Sequence, residues 1–362
     1  MKAEKIHVDL GANSYDIVIG HGIRRQIGSY LKKLSVGGKV AVVTHPKIER
    51  LYGAEVMKSL KGSGYDPTLI RVPDGERYKN MEQIGRIFDR LIHDRFERKS
   101  TLVALGGGVI GDMTGFAAAT YLRGISYIQV PTTVVAQADA GIGGKTGVDH
   151  PKGKNLIGAF HQPRMVLIDP ETLRSLPRRE FIAGLAEVAK YGMILDAGFF
   201  RYLEENAAAI LKMDRQKLLY CIKKSAALKA RVVQADERES GLRKVLNYGH
   251  TIGHAIETLT GYRKFKHGEA VAIGMAAAAR LAYQIGLCAW EAPHRQIRLL
   301  ASLGLPTALP KLDSGSILNV MARDKKVSGG EIVFILPEKI GQVRILPVSR
   351  RELEGFLKSA LN

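Results

Sequence analysis

Thr101-Leu102-Val103-Ala104-Leu105-Gly106-Gly107-Gly108-Val109-Ile110-Gly111-Asp112 is the stretch that decides the architecture. An apolar run ends in glycines and gives way to helical spacing. A short run apolar on both faces is what a buried parallel strand requires. The glycines fit G-x-G-x-x-G between strand and helix. Without Cβ atoms, backbone N–H groups can approach a pyrophosphate, and a helix N-terminus favours its charge. The loop departs from the ordinary dinucleotide fingerprint, because it follows a late strand and no acidic residue stands about 20 positions on. It implies phosphate binding without an ordinary Rossmann unit.

The flanks repeat the same order. Lys5 to Leu10 and Tyr15 to Ile19 read as a hairpin around Gly11-Ala12-Asn13-Ser14. Strands are expected at Lys39 to Thr44, Thr68 to Val72, Ile125 to Val130 and Met165 to Ile168, with helices at Ile23 to Leu34, Ile48 to Leu60 and Met81 to Ile92. Alternating strand and helix imply a parallel sheet covered on both faces. From about Pro177 the pattern turns helical: Arg179 to Tyr191, Phe199 to Leu211, Arg215 to Ala235, Val245 to Leu259, Glu269 to Ile285 and Ala292 to Leu303. Glu331 to Leu336 and Gln342 to Leu346 read as a late hairpin. The expectation is an α/β domain over 1–176 and a mostly α-helical domain over 177–362, with a ligand cleft between them.

Composition narrows the function. The 362 residues carry a net charge of +19, from 54 Lys+Arg against 35 Asp+Glu. Such a field attracts anions. The basic residues are dispersed and lack interleaved aromatics, so an acidic metabolite is expected and nucleic acid is not. Cys221 and Cys288 are too few for a disulfide framework or a cysteine-rich metal site. The N-terminus has no apolar signal region, and the alanine-rich run from Ala270 to Ala279 is too short to span a bilayer. A cytoplasmic enzyme without a membrane partner is expected.

Three further segments carry chemistry. Asp74-Gly75-Glu76-Arg77-Tyr78-Lys79 follows a strand, where a carboxylate could hold ribose hydroxyls or simply cap the next helix. Thr132-Thr133 through Asp139, Gly143-Gly144-Lys145-Thr146-Gly147-Val148-Asp149-His150 and Lys152-Gly153-Lys154-Asn155 form a long glycine-rich, polar segment. Gly144-Lys145-Thr146 is not a P-loop, because the pattern needs glycine where Asp139 stands. Its lysines, asparagine and acids suit a phosphorylated, hydroxylated substrate. Last, Asn247-Tyr248-Gly249-His250-Thr251-Ile252-Gly253-His254 puts two histidines at i, i+4; His267-Gly268-Glu269 opens the next helix, and Glu187 lies on an earlier one. This is a metal signal, and spacing alone leaves open which three of Glu187, His250, His254 and His267 are ligands.

These segments, in this order from Asp74 to Lys326, closely resemble the 3-dehydroquinate synthase family of sugar-phosphate cyclases. The resemblance rests on Gly-Gly-Gly-Val-Ile-Gly-Asp at 106–112, Gly-Gly-Lys-Thr-Gly-Val-Asp-His-Pro-Lys-Gly-Lys-Asn at 143–155, Gly-Leu-Ala-Glu-Val-Ala-Lys-Tyr-Gly at 184–192 and Leu-Asn-Tyr-Gly-His-Thr-Ile-Gly-His-Ala at 246–255. It implies a Rossmann-like N-terminal domain and a helical C-terminal domain of the dehydroquinate synthase-like type. It further implies NAD at Asp74, Gly75, Glu76, Arg77, Tyr78 and Lys79, at Gly108, Val109, Ile110, Gly111 and Asp112, at Thr132, Thr133, Lys145 and Lys154, and at Thr172, Leu173, Arg174 and Ser175. A divalent metal, zinc or cobalt, is implied at Glu187, His250 and His267, leaving His254 for substrate. Substrate contacts are implied at Asp139, Lys145, Asn155, Lys190, Lys229, Arg243, Asn247 and one of Lys325 and Lys326. Arg123 would meet the substrate phosphate, from the partner subunit if the protein is a homodimer. Asp149 departs from the family, which more often has asparagine there.

The activity so implied is a carbon–oxygen lyase of the shikimate pathway, which leads to chorismate and the aromatic amino acids. It would convert the phosphorylated sugar acid 3-deoxy-D-arabino-heptulosonate 7-phosphate into 3-dehydroquinate and phosphate. The sequence is transient oxidation by NAD, β-elimination, reduction, ring opening and an intramolecular aldol. The alternatives are a cyclase with another sugar phosphate, a metal-dependent alcohol dehydrogenase, and a nucleic-acid-binding protein.

Overall fold

The computed structural model describes residues 3–324 and 331–361. Two compact units emerge: Met1–Leu176 with Ser225–Arg238, and Pro177–Lys224 with Glu239–Asn362. The stretch Ser225–Arg238 thus groups with the first unit, although 177–362 reads in sequence as one helical domain.

The first unit holds strands β1 (Glu4–Val8), β2 (Tyr15–Ile19), β3 (Val40–Thr44), β4 (Pro67–Arg71), β5 (Thr101–Gly106), β6 (Ser126–Pro131), β7 (Lys145–His150), β8 (Gly153–Phe160) and β9 (Met165–Ile168). Its helices are α1 (Ile27–Lys33), α2 (Pro46–Ile48), α3 (Ala54–Gly62), α4 (Met81–His93) and α5 (Gly108–Thr120). The main sheet runs β1-β2-β9-β6-β5-β3-β4. Only the β1–β2 pair is antiparallel. Side chains alternate across it: Ala41, Val43, Leu102 and Ala104 join α4 and α5 on one face, while Val40, Val42, Val103 and Leu105 join α1 and α3 on the other. Burial on both faces explains why these strands read as unbroken apolar runs.

Two expectations are corrected here. The helix expected from Ile48 to Leu60 is interrupted by a π-helical turn at Glu49–Gly53. The glycine-rich segment is not a loop: β7 and β8 form a separate hairpin, whose Val148, Ile157 and Ala159 pack into the α5 core.

The second unit contains α6 (Arg178–Leu195), α7 (Ala197–Leu211), the start of α8 (Arg215–Ala235), α9 (His250–Leu259), α10 (His267–Gln284), α11 (Glu291–Ser302), α12 (Ser314–Asp324) and α13 (Arg350–Leu361). Strands β10 (Glu331–Lys339) and β11 (Gln342–Ser349) make the expected hairpin. The alanine-rich run forms most of α10, which is buried almost all round. Among the described residues no helix is long and apolar enough to cross a membrane. The expected helix from Val245 starts later: Leu242–Asn247 is a 3-10 turn, and Gly249, at φ +80°, sets the entry to α9. Helices α12 and α13 were absent from the sequence expectation. Each buries a stripe, Ile317, Leu318 and Met321 in one, Leu353, Phe356 and Leu357 in the other.

Candidate active site

In the first unit, β3 leads outward to β4, and the chain then returns to place β5 on the other side of β3. Such a reversal of strand order opens a crevice at the carboxyl ends of the strands. The glycine loop ends β5 at this reversal, which is why a late strand carries it. Thr44 Oγ1 donates to the Leu105 carbonyl at 2.7 Å, and the Thr132 amide donates to the Gly106 carbonyl at 2.9 Å. A Cβ on Gly106 would lie 2.6 Å from Ile110 Cγ1, one on Gly107 3.0 Å from Thr133 Cγ2, and one on Gly111 2.8 Å from Gln129 Oε1. A side chain on Gly106 would displace Ile110 and with it the first turn of α5, while at Gly107 and Gly111 the Thr133 and Gln129 side chains would have to give way. The first amides of α5 have no partner inside the helix and so are available to an anion.

The Asp74–Lys79 turn, the start of α5 and the β7–β8 hairpin meet around one buried ammonium. Lys79 Nζ lies 2.7 Å from Asp112 Oδ2 and donates to Asn155 Oδ1 at 2.5 Å. The Asp149 amide donates to the Lys79 carbonyl at 2.7 Å, and Asp149 Oδ1 accepts from the Asn155 amide at 2.8 Å. Lys154 Nζ stands 3.6 Å from Glu76 Oε1. Burial works against the Lys79 charge, but Asp112 and Glu76 outweigh it and hold the ammonium above its ordinary value. Burial raises the Asp112 carboxyl, and Lys79 offsets only part of that rise. Asp149 is also raised, again by burial first. Asp74 sits 3.6 Å from His45 Nε2.

Other sequence-predicted positions are spread over this unit. Asp139 and Lys229 form an ion pair. Lys145 and Asn155 are exposed on the hairpin, and Arg123 is exposed at φ +69°. Thr172 is buried: its hydroxyl accepts from Gln137 Nε2 at 2.9 Å, and its carbonyl accepts from Tyr52 Oη at 3.0 Å. The Leu173 side chain is wholly buried, so only its backbone could face a ligand.

In the second unit three helices bring Glu187, His250 and His267 together. His250 Nε2 is 3.6 Å and His267 Nε2 3.7 Å from Glu187 Oε1. Two ligands of a tetrahedral zinc ion, each about 2.0–2.1 Å from it, stand about 3.4 Å apart, so the donor set fits one such ion. Both other ring nitrogens are engaged: His250 Nδ1 lies 3.1 Å from the Tyr248 carbonyl, and His267 Nδ1 lies 3.3 Å from Glu257 Oε2. Lys190 Nζ lies 2.5 Å from Glu187 Oε2, with both groups buried. Burial, then Lys190 and the two neighbouring imidazoles, push the His250 pKa well below its ordinary value. The ring is therefore neutral and able to ligate at pH 7.

Glycines make this convergence possible. A Cβ on Gly268 would lie 1.8 Å from the Ala183 carbonyl oxygen, and one on Gly274 1.9 Å from that of Gly249. Helices α6, α9 and α10 can approach closely only because these positions are bare. A second grouping, His254, Glu257 and His267, is equally compact. Among the described residues no such grouping of three contains both His250 and His254. Arg243 is buried, and Asn247 Nδ2 donates to Glu239 Oε1 at 2.7 Å. Glu239 and Glu257 escaped the sequence reading. Glu257 stands three residues after His254, one helical turn on, and that spacing was the available signal. Lys325 and Lys326 lie outside the described residues.

An α/β unit with a glycine loop at its strand reversal, and a helical unit bearing a Glu–His–His cluster, define the dehydroquinate synthase-like class of two-domain enzymes. Residues 69–183 match the 3-dehydroquinate synthase N-terminal family and residues 184–327 the 3-dehydroquinate synthase C-terminal family. A 3-dehydroquinate synthase from Citrifermentans bemidjiense is 50% identical over 345 residues, covering 95% of each chain. Among solved structures, 2-epi-5-epi-valiolone synthase from Streptomyces hygroscopicus, with NAD+ and Zn2+ bound, is 29% identical with a TM-score of 0.87 and 96% of each chain covered. A 2-deoxy-scyllo-inosose synthase complexed with carbaglucose-6-phosphate, NAD+ and Co2+ is 27% identical with a TM-score of 0.88, covering 99% of this chain and all of the other. The chain belongs to the 3-dehydroquinate synthase family.

Proposed function

We infer that the chain converts 3-deoxy-D-arabino-heptulosonate 7-phosphate into 3-dehydroquinate and phosphate. The observation that carries this reading is the meeting of one carboxylate and two imidazole Nε2 atoms in a space one ion wide, in a chain half identical to curated enzymes of that activity. Zinc or cobalt at Glu187, His250 and His267 would supply Lewis-acid polarisation of a substrate hydroxyl, and NAD at the glycine loop would supply a reversible hydride acceptor.

The chain's own groups bind and orient. The α5 amides and the Asp74–Lys79 turn suit the dinucleotide, with Lys79 fixed by Asp112 and Asn155. Thr132, Thr133, Lys145, Lys154 and the Thr172–Ser175 turn are assigned to the same cofactor. Lys190 is held against Glu187, Lys229 against Asp139 and Asn247 against Glu239. Groups so fixed need little reorganisation to receive an anionic sugar, and placement of successive intermediates is the main catalytic demand. Buried Arg243 suits the substrate carboxylate, His254 and Asn155 its hydroxyl or phosphate groups. Exposed Arg123 suits a phosphate, offered across a homodimer. The reading places the enzyme in the cytoplasm.

Valiolone and inosose synthases share the fold at nearly the same TM-score, so substrate comparison is the test. The protein, NAD+ and zinc should release phosphate and form 3-dehydroquinate from the heptulosonate phosphate, without net NADH. Faster turnover of glucose 6-phosphate or sedoheptulose 7-phosphate would overturn the assignment.

A further inference from the structure

We propose that Glu257 is the positioning residue that sets the ring of His267 for metal ligation, a role that rests on reading Glu187, His250 and His267 as the metal centre. A neutral imidazole has one N–H and one lone pair, and a hydrogen bond at one nitrogen decides which of them the other presents. His250 and His267 are arranged alike. Each turns Nε2 toward Glu187 Oε1, at 3.6 and 3.7 Å. Each has an acceptor at Nδ1: the Tyr248 carbonyl at 3.1 Å for His250, and Glu257 Oε2 at 3.3 Å for His267.

The two acceptors differ in kind. For His250 the main chain supplies it, two residues away, and the ring is mostly buried. His267 is the first residue of α10, and its side chain keeps 40% of its exposure. An exposed ring at a helix start has many rotamers, so its orientation needs an outside tether. Glu257 supplies this from α9, where its side chain is only 5% exposed. A buried carboxylate is costly unless it is paired with a donor, and the Nδ1–H of His267 is a donor in reach. Gly253 lets α9 carry Glu257 close to α10: a Cβ there would sit 3.1 Å from the Ala270 carbonyl oxygen.

Because His254, Glu257 and His267 are also close enough to share an ion, the test separates tethering from direct ligation. The cobalt-loaded protein would be titrated with a competing chelator, and its visible d–d spectrum recorded, for the parent, Glu257→Gln, Glu257→Ala and His250→Ala. Loss of such an outer partner weakens metal affinity about 10- to 100-fold. Glu257→Ala should show that loss with a shifted spectrum. Glu257→Gln keeps the side chain's shape and an acceptor oxygen, so it should retain part of the affinity, and it carries the comparison if the alanine variant fails to fold. Parent-like affinity and spectrum in both variants would overturn the proposal. So would two cobalt equivalents in the parent and one in Glu257→Gln, which would make Glu257 a ligand. If His250→Ala held cobalt as tightly as the parent, the underlying assignment of the centre would fall, and the proposal with it.

Discussion

Replacing Lys79 by methionine should be among the most damaging single changes in the first unit. The Lys79 side chain is 4% exposed and that of Asp112 22%. The substitution keeps most of the aliphatic stem and removes only the charge between Asp112 and Asn155. Breaking a buried ion pair from one side costs about 3–5 kcal/mol, because the remaining charge stays buried and unpaired. Asp112 retains some solvent and can take up a proton, which points to the lower end, about 3 kcal/mol. For a unit of this size that lowers the melting temperature by roughly 6–12 °C. The loss should depend on pH. Burial already raises the folded-state pKa of Asp112, and removing Lys79 raises it further. A carboxyl raised in the folded state is protonated in both states below its unfolded value, about 3.9, and costs stability as pH rises through the folded value. Lys79→Met should therefore be closer to the parent at pH 5 than at pH 8.

Calorimetry without NAD at both pH values is the assay, since two units need not melt together. Lys79→Met/Asp112→Leu should recover most of the loss, because removing both charges also removes the unpaired one. A single variant that melts within about 1 °C of the parent at both pH values, or a double variant no better than the single, would refute the argument.

His250→Ala should lose metal to a chelator far more readily than His254→Ala, as read by bound zinc per chain; the reverse order would make His254 the ligand. Gly268→Ala places a methyl 1.8 Å from the Ala183 carbonyl oxygen, so α10 must shift at its first turn. It should destabilise the second unit by at least about 3 kcal/mol and lower metal content, and unchanged denaturant unfolding with full metal would contradict it. The His250 pKa lies well below 6.5 in the folded chain. Stability of the metal-free protein should therefore hold above the unfolded value and fall as pH drops below about 6.5, where the unfolded ring takes up protons first. Urea unfolding between pH 7.5 and 5.5 measures this, and a flat profile would show that the ring is not held neutral.

The sheet was legible because strands buried on both faces leave an unbroken apolar run, as at Leu102 to Leu105. The β7–β8 hairpin was not. Gly147 lies so close to the partner strand that a Cβ would come 2.5 Å from the Ile157 carbonyl oxygen, so glycine there marks tight pairing where it read as loop. The trace of the hairpin is the period-two placement of Thr146 and Val148 and of Ile157 and Ala159, with Gly147 and Gly158 between the members of each pair. The grouping of Ser225–Arg238 with the first unit leaves no mark, since α8 continues through it without glycine, proline or a change of period.

The candidate metal centre shows why spacing singled out these residue types and left the ligand set open. Two histidines at i, i+4 share a helical face whatever lies opposite, so periodicity treats His250 and His254 alike. What distinguishes them is tertiary. Glu187 Oε1 faces the Nε2 atoms of His250 and His267, and its side chain, only 2% exposed, points inward from α6. That helix reaches α10 through the gap at Gly268, and α10 reaches α9 through bare positions at Gly249, Gly253 and Gly274; a Cβ on Gly249 would lie 2.8 Å from the Val271 carbonyl oxygen. The glycine beside each histidine is thus part of the metal-site signature: Gly249 before His250, Gly268 after His267. A chain with the same Glu and His residues but alanine at those two positions would keep the ligand types and lose the distance that lets them share an ion.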